Sequence, residues 1–296
     1  MTEQAVAAAP EKPLWLRIVN FPLVAMLIAV AFYVLASAAS TLLGFVATVP
    51  DPLTDIAVRS GLAILFVAGV YKLVIRRIGD PPRDDLPARG ALRGLGLGLG
   101  MGLVLFSIIV GIAALLDVYN IVGEGSVRSL VKTAIVIAIL PAFMEEMLFR
   151  GILFRFLEDF GGSWFALALT SALFGLAHIF NPNASALSSL AIAVEAGILL
   201  GGVYMLTRNL WAAMGLHASW NFTQGYIYDV PVSGIDQDGM VQAQLSGDTL
   251  LSGGAFGLEA SLIAMVVATA AGIWLVAKAV KAGQLVQPWW IRRRLP

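Results

Sequence analysis

Runs of about 20 mainly apolar residues recur along the whole chain, at 22–47, 57–76, 92–116, 129–157, 163–180, 186–206, 210–228 and 258–280. Twenty residues of helix are enough to cross the hydrocarbon core of a bilayer, so each run predicts one transmembrane helix. The pattern predicts an all-α polytopic membrane bundle of about eight spans. The polar intervals between the runs alternate in charge. Lys72, Arg76, Arg77, Arg83, Arg89 and Arg93 follow the second run, Arg150 and Arg155 close the fourth, and Arg208 follows the sixth. Lys278, Lys281 and Arg292 to Arg294 follow the eighth. The intervening segments hold Asp51 and Asp55, Asp117 and Glu124, the uncharged Asn181–Asn183, and Asp229, Asp236, Asp238 and Asp248. Basic residues gather in short cytoplasmic loops, which predicts that both termini are cytoplasmic, with Trp15, Trp289 and Trp290 as interfacial anchors.

Composition adds the solvent. With 59% hydrophobic residues, 13% charged residues and a mean hydropathy of +0.85, the chain is expected to be an integral membrane protein. The first run is too long for a cleaved signal segment and is expected to be a retained helix. Net charge is zero, which gives no global attraction to nucleic acid, and the absence of cysteine removes disulfides, thiolate nucleophiles and cysteine-ligated zinc. Residues 77–91, with Pro81, Pro82 and Pro87, look like a cytoplasmic connector, and 229–257, rich in Gly, Ser and Asp, like an external loop. In the third run Gly90, Gly94, Gly98 and Gly102 recur every four residues, a spacing that lets two membrane helices approach closely.

The chemistry is concentrated between residues 141 and 221. The chain's two histidines, His178 and His217, lie in separate apolar runs, and a third run holds Glu145 and Glu146. Ionisable groups at membrane depth are costly and mark function. Glu146 and Arg150 are four apart and can pair, while Glu145 points about 100° away and is left for other work. Pro141, one turn earlier, deletes a backbone donor and is expected to bend or loosen the helix. Phe174 and His178 share one helix face, as do His217 and Asn221. A partly desolvated glutamate can take a proton from water and later hand it to a leaving group, while imidazole and carboxamide donors can hold an oxyanion. The same two histidines with Glu145 could instead ligate a zinc-like divalent metal that leaves a position open to water. Glu195 either faces the same cavity or pairs with Arg208.

The ordered motifs Glu145-Glu146-x-x-x-Arg150, Phe174-x-x-x-His178 and His217-x-x-x-Asn221 resemble those of the CPBP family of intramembrane proteases. This family joins the CAAX prenyl endopeptidases to the bacteriocin-processing and self-immunity (Abi) proteins. Gly201 to Trp211, leading into His217, is similar to the family's link between its last two motif helices. The likeness covers about residues 128–225.

The resemblance implies Glu145 as the water-activating carboxylate with His178 as its partner, His217 and Asn221 on the oxyanion side, and Glu146 and Arg150 in support. Phe174 is expected to shape the cavity. The preferred reading requires no cofactor; the metal-dependent alternative would use Glu145, His178 and His217.

The organisation expected is 1–127 as N-terminal helices and connector, 128–228 as the protease-like core, 229–257 as external loop, and 258–296 as last helix and basic tail. The expected partners are membrane lipids and a peptide or protein substrate, lipid-anchored in the family's prenyl branch, with no nucleic acid. The expected setting is the inner membrane of a prokaryote. Because Arg150 is read as lying at the cytoplasmic end of its span, cleavage is expected near the cytoplasmic leaflet, with access from lipid or cytosol between helices. A transporter or a non-proteolytic scaffold could keep the same buried polar cluster.

Overall fold

A computed structural model describes residues 12–47 and 49–293. Arg294 and the first eleven residues lie outside the described part. Seven helices are long and apolar enough to cross a membrane: α1 (Pro22–Val46), α2 (Pro52–Arg77), α3 (Ala91–Leu115), α4 (Val127–Gly161), α5 (Ser163–Phe180), α6 (Ala186–Thr207) and α8 (Leu262–Lys281). Helices satisfy their own backbone groups, which is the requirement lipid imposes. The run expected at 210–228 is also helical, as α7 (Leu210–Phe222, continued by the π-helical Thr223–Ile227), but it differs in kind. It carries His217, Ser219, Asn221 and Gln224, and all four are buried among the other helices.

Close approach around α7 comes from glycine. A Cβ at Gly98 would lie 2.2 Å from the Ala212 carbonyl oxygen, and one at Gly102 would lie 2.4 Å from that of Leu216. From the other side, a Cβ on Gly215 would meet the Leu95 carbonyl at 2.5 Å. Only hydrogen at these positions allows α3 and α7 to pack backbone to backbone. Gly90 differs from the expectation: it caps α3 in the left-handed region, at φ 79°, and touches nothing across the interface.

Helix α4 departs from α-geometry on both sides of the acidic pair. Residues Ala134–Ile139 and Phe149–Phe154 are π-helical, and Leu140–Leu148 between them is α-helical. The helix runs to Gly161, past the expected end at 157, and Arg150 and Arg155, expected near its cytoplasmic end, are buried inside the bundle. Arg155 donates to the Ile78 carbonyl at 2.9 Å, and Arg208 donates to Glu158 at 3.0 Å. Arg83 reaches the Tyr204 hydroxyl at 3.1 Å, and Leu210 N donates to the Asp85 carbonyl at 2.8 Å. Together these bonds bind the connector to α4, α6 and α7 at the end of the bundle where Arg77, Ala91, Gly161 and Lys281 lie.

The opposite end is covered by an ordered loop. A strand β1 (Tyr119–Glu124) pairs antiparallel with β2 (Val241–Leu245), with a register shift between Ile121 and Gly123. The segment around Val230–Ile235 folds inward, with Val230 and Val232 buried. Asn181 donates to the Ser233 carbonyl at 3.2 Å and Asn183 to the Gly234 carbonyl at 3.3 Å, which fastens this strap to the α5–α6 turn.

Candidate active site

Pro141 sets up the first element of the site. An α-helical partner for the Ile137 carbonyl would be the N–H of residue 141, and proline has none. Asn221 of α7 supplies the missing donor, its Nδ2 lying 2.9 Å from the Ile137 oxygen. The bond fixes α7 against α4 and uses one of the two amide hydrogens of Asn221, leaving the second.

Glu146 and Arg150 pair as their spacing predicts, at 2.8 Å, and neither has any exposure. Arg150 also approaches the carbonyls of Ala196 and Gly197 at 3.4 Å and lies over the Phe174 ring, 4.7 Å from its centroid. The same oxygen of Glu146 that meets Arg150 lies 3.0 Å from Nδ1 of His217. A carboxylate held by a guanidinium accepts, so Nδ1 of His217 is the donor and Nε2 faces the other way. Nε2 lies 4.0 Å from Oε2 of Glu145. That oxygen is buried and has no hydrogen-bond partner in the protein, although the Glu145 side chain as a whole is 32% exposed. Tyr33 of α1 donates to the adjacent Met144 carbonyl at 3.2 Å and brings the first helix up to this edge of the site.

His178 occupies another position. Its Nδ1 lies 2.7 Å from the Phe174 carbonyl, an acceptor, so Nδ1 carries hydrogen and Nε2 is left unengaged. Among the described residues the imidazole that approaches Glu145 is His217; the polar contact of His178 is to its own helix. Phe174 joins the parts, its ring 4.7 Å from that of His178 and 6.1 Å from that of His217. His178, His217, Asn221 and Phe174 line one cavity of about 30 Å³, larger than the ~10–15 Å³ that a water molecule needs. Glu145 stands outside that lining, beside the His217 ring.

Two further carboxylates line the cavity. Glu195 is fully buried with neither oxygen partnered in the protein, and Arg208, its alternative partner from the sequence, is engaged by Glu158 instead. Glu259, just ahead of α8, accepts from the Ser233 backbone N–H. Burial pushes the Glu259 carboxyl up to about 7, against the opposing pull of the Ser233 bonds. Sequence reading missed Glu259; the available signal was an ionisable residue, in Gly257-Leu258-Glu259-Ala260, at the very start of the apolar run 258–280.

Arg150 does not mark a membrane face, as the sequence reading assumed. It is wholly buried, roughly 16 Å short of the end of α4 at Gly161 by helical rise. Among the described residues no three His, Asp or Glu side chains are grouped to hold a metal ion. Glu145, His178 and His217 do not form such a set.

No curated protein and no solved structure matches the chain. Residues 127–223 match the family model described as type II CAAX prenyl endopeptidase Rce1-like. The matched stretch runs from the start of α4 into the last turns of α7 and contains Glu145, Glu146, Arg150, Phe174, His178, His217 and Asn221. The chain is a helical integral membrane protein whose segment 127–223 is similar to the type II CAAX prenyl endopeptidases described by that family model.

Proposed function

We propose that the protein is an intramembrane endopeptidase in which Glu145 activates the attacking water. The observation that carries this reading is the buried chain Arg150–Glu146–His217, which turns one imidazole nitrogen toward a second, unpartnered carboxylate oxygen at 4.0 Å. A water molecule can stand at hydrogen-bonding distance from both atoms. Glu145 takes a proton from that water as its oxygen bonds to the scissile carbonyl carbon. The carbonyl oxygen becomes an oxyanion, for which the second N–H of Asn221 is the donor. The C–N bond then breaks, and Glu145 returns the proton to the leaving nitrogen. His217 thus takes the water-positioning role that the resemblance assigned to His178, because the shorter approach is its own.

Glu146 and Arg150 hold the His217 ring and its tautomer rather than reacting. The substrate is a membrane-associated peptide or protein. The test compares peptides released in membranes carrying the unmodified protein or Glu145→Gln. Peptides present only with the unmodified protein support the assignment; identical peptide sets refute it, and would favour a non-proteolytic role for the same cluster.

A further inference from the structure

The cavity lies unevenly between the two ends of the bundle. It begins near mid-depth, where Glu195 stands roughly 18 Å from Thr207 and roughly 13 Å from Ala186 by helical rise. From there it extends to His178, two residues from the end of α5, and to Ser233 and Glu259, which belong to the loop-covered end. At the other end the connector and the ion pairs of Arg83, Asp85, Glu158 and Arg208 close the bundle.

Charge separates the same two ends. Of the chain's 19 Lys and Arg residues, Arg59, Arg128 and Lys132 flank the end that the cavity approaches, Arg150 is buried at mid-depth and Arg294 lies outside the described part; the remainder flank the closed end. The loop over the cavity carries Asp229, Asp236, Asp238 and Asp248. Basic flanks stay in the cytoplasm, which places the closed end there.

We propose that the site is served from the non-cytoplasmic half of the membrane, and that its substrates are membrane-anchored polypeptides whose scissile bond lies in that outer half. This rests on the endopeptidase reading above. A lipidated tail emerging in the cytosol would meet the closed, ion-paired end of the bundle, on the wrong side of α4 and α7. The strap at Val230–Ile235 is the element that must move for an outer-half segment to enter, because Ser233 both lines the cavity and is held by Asn181 and Glu259.

The chain contains no cysteine, so single-cysteine variants report without background. Gln244→Cys, exposed in β2, and Ala88→Cys, exposed in the connector, are treated in intact cells with a membrane-impermeant maleimide. The proposal expects Gln244→Cys to label at least tenfold faster than Ala88→Cys, with Ala88→Cys labelling only after permeabilisation; the reverse order overturns it. In parallel, Glu145-dependent cleavage positions are mapped in the released peptides. Positions in the substrate half remote from its Lys- and Arg-rich flank support the proposal. Positions beside that flank overturn it while leaving the protease reading intact. If no cleavage depends on Glu145, the protease reading and the substrate class fall together, and the labelling order still decides the orientation.

Discussion

Replacing Arg150 by methionine isolates the interaction that orients the site. The guanidinium is fully buried, 2.8 Å from an equally buried Glu146, with weaker contacts to two carbonyls and to the Phe174 ring. Methionine retains most of the packing volume and removes the charge. Glu146 would then be a buried carboxylate whose remaining partner is His217, and stranding one member of a buried pair costs about 3–5 kcal/mol. Against a total stability of roughly 5–15 kcal/mol this is a large fraction. At about 2–4 °C per kcal/mol for a chain of this class, the melting temperature falls by on the order of 10 °C.

Glu146 can escape by taking a proton, but then it no longer simply accepts from His217 Nδ1, and the imidazole loses its enforced tautomer. The double variant Glu146→Gln/Arg150→Met has no charge to strand and is expected to recover about 2 kcal/mol of the loss. The assay is thermal unfolding in detergent of the parent, both single variants and the double variant. Equal melting of Arg150→Met and the double variant would show that Arg150 does not serve to neutralise Glu146, and the reasoning would fail.

The other expectations concern packing, a backbone repair and pH. Gly102→Leu is expected to destabilise by more than about 3 kcal/mol, because its side chain must displace the α7 backbone, whereas Gly96→Leu, with nothing within 4 Å, changes melting little. Comparable melting of the two would contradict the α3–α7 contact. Asn221→Leu leaves the Ile137 carbonyl without its donor, a loss of about 1–3 kcal/mol, and Pro141→Ala in the same chain restores an N–H and part of that stability. A deeper loss in the double variant would refute the repair. Burial holds the Glu259 carboxyl up to about 7, above its unfolded value, so its contribution is complete in acid and is lost as pH rises through 7. Glu259→Gln should flatten the fall in melting temperature between about pH 4.5 and 7; an unchanged slope would contradict the assignment.

Much of the architecture is legible in the apolar runs because lipid demands long, self-satisfied helices, and the i, i+4 rule foretells the Glu146–Arg150 pair. What the sequence could not give is tertiary. Helix spacing alone does not say which histidine approaches Glu145, and Phe174 at the start of one histidine's own turn absorbs His178 Nδ1 while Glu146 captures that of His217. Arg150 reads as an interfacial charge until its partner is seen to be buried with it. Glu259 was hidden because an acid in the first turn of an apolar run carries no motif of its own, and only the strap that folds over it shows it to be buried against the cavity. Pro141 was recognised as a helix disturbance, but the carboxamide that compensates it comes from a helix eighty residues away in sequence.

The account depends on Glu145 acting as a base without being needed for the fold. A substrate recovered from the membranes can be presented in detergent to the unmodified protein and to Glu145→Gln, with cleavage rate and melting temperature measured on the same preparations. The account predicts a rate at least about 100-fold lower with melting essentially unchanged. Cleavage by Glu145→Gln at the parent rate, from protein that melts like the parent, would contradict it.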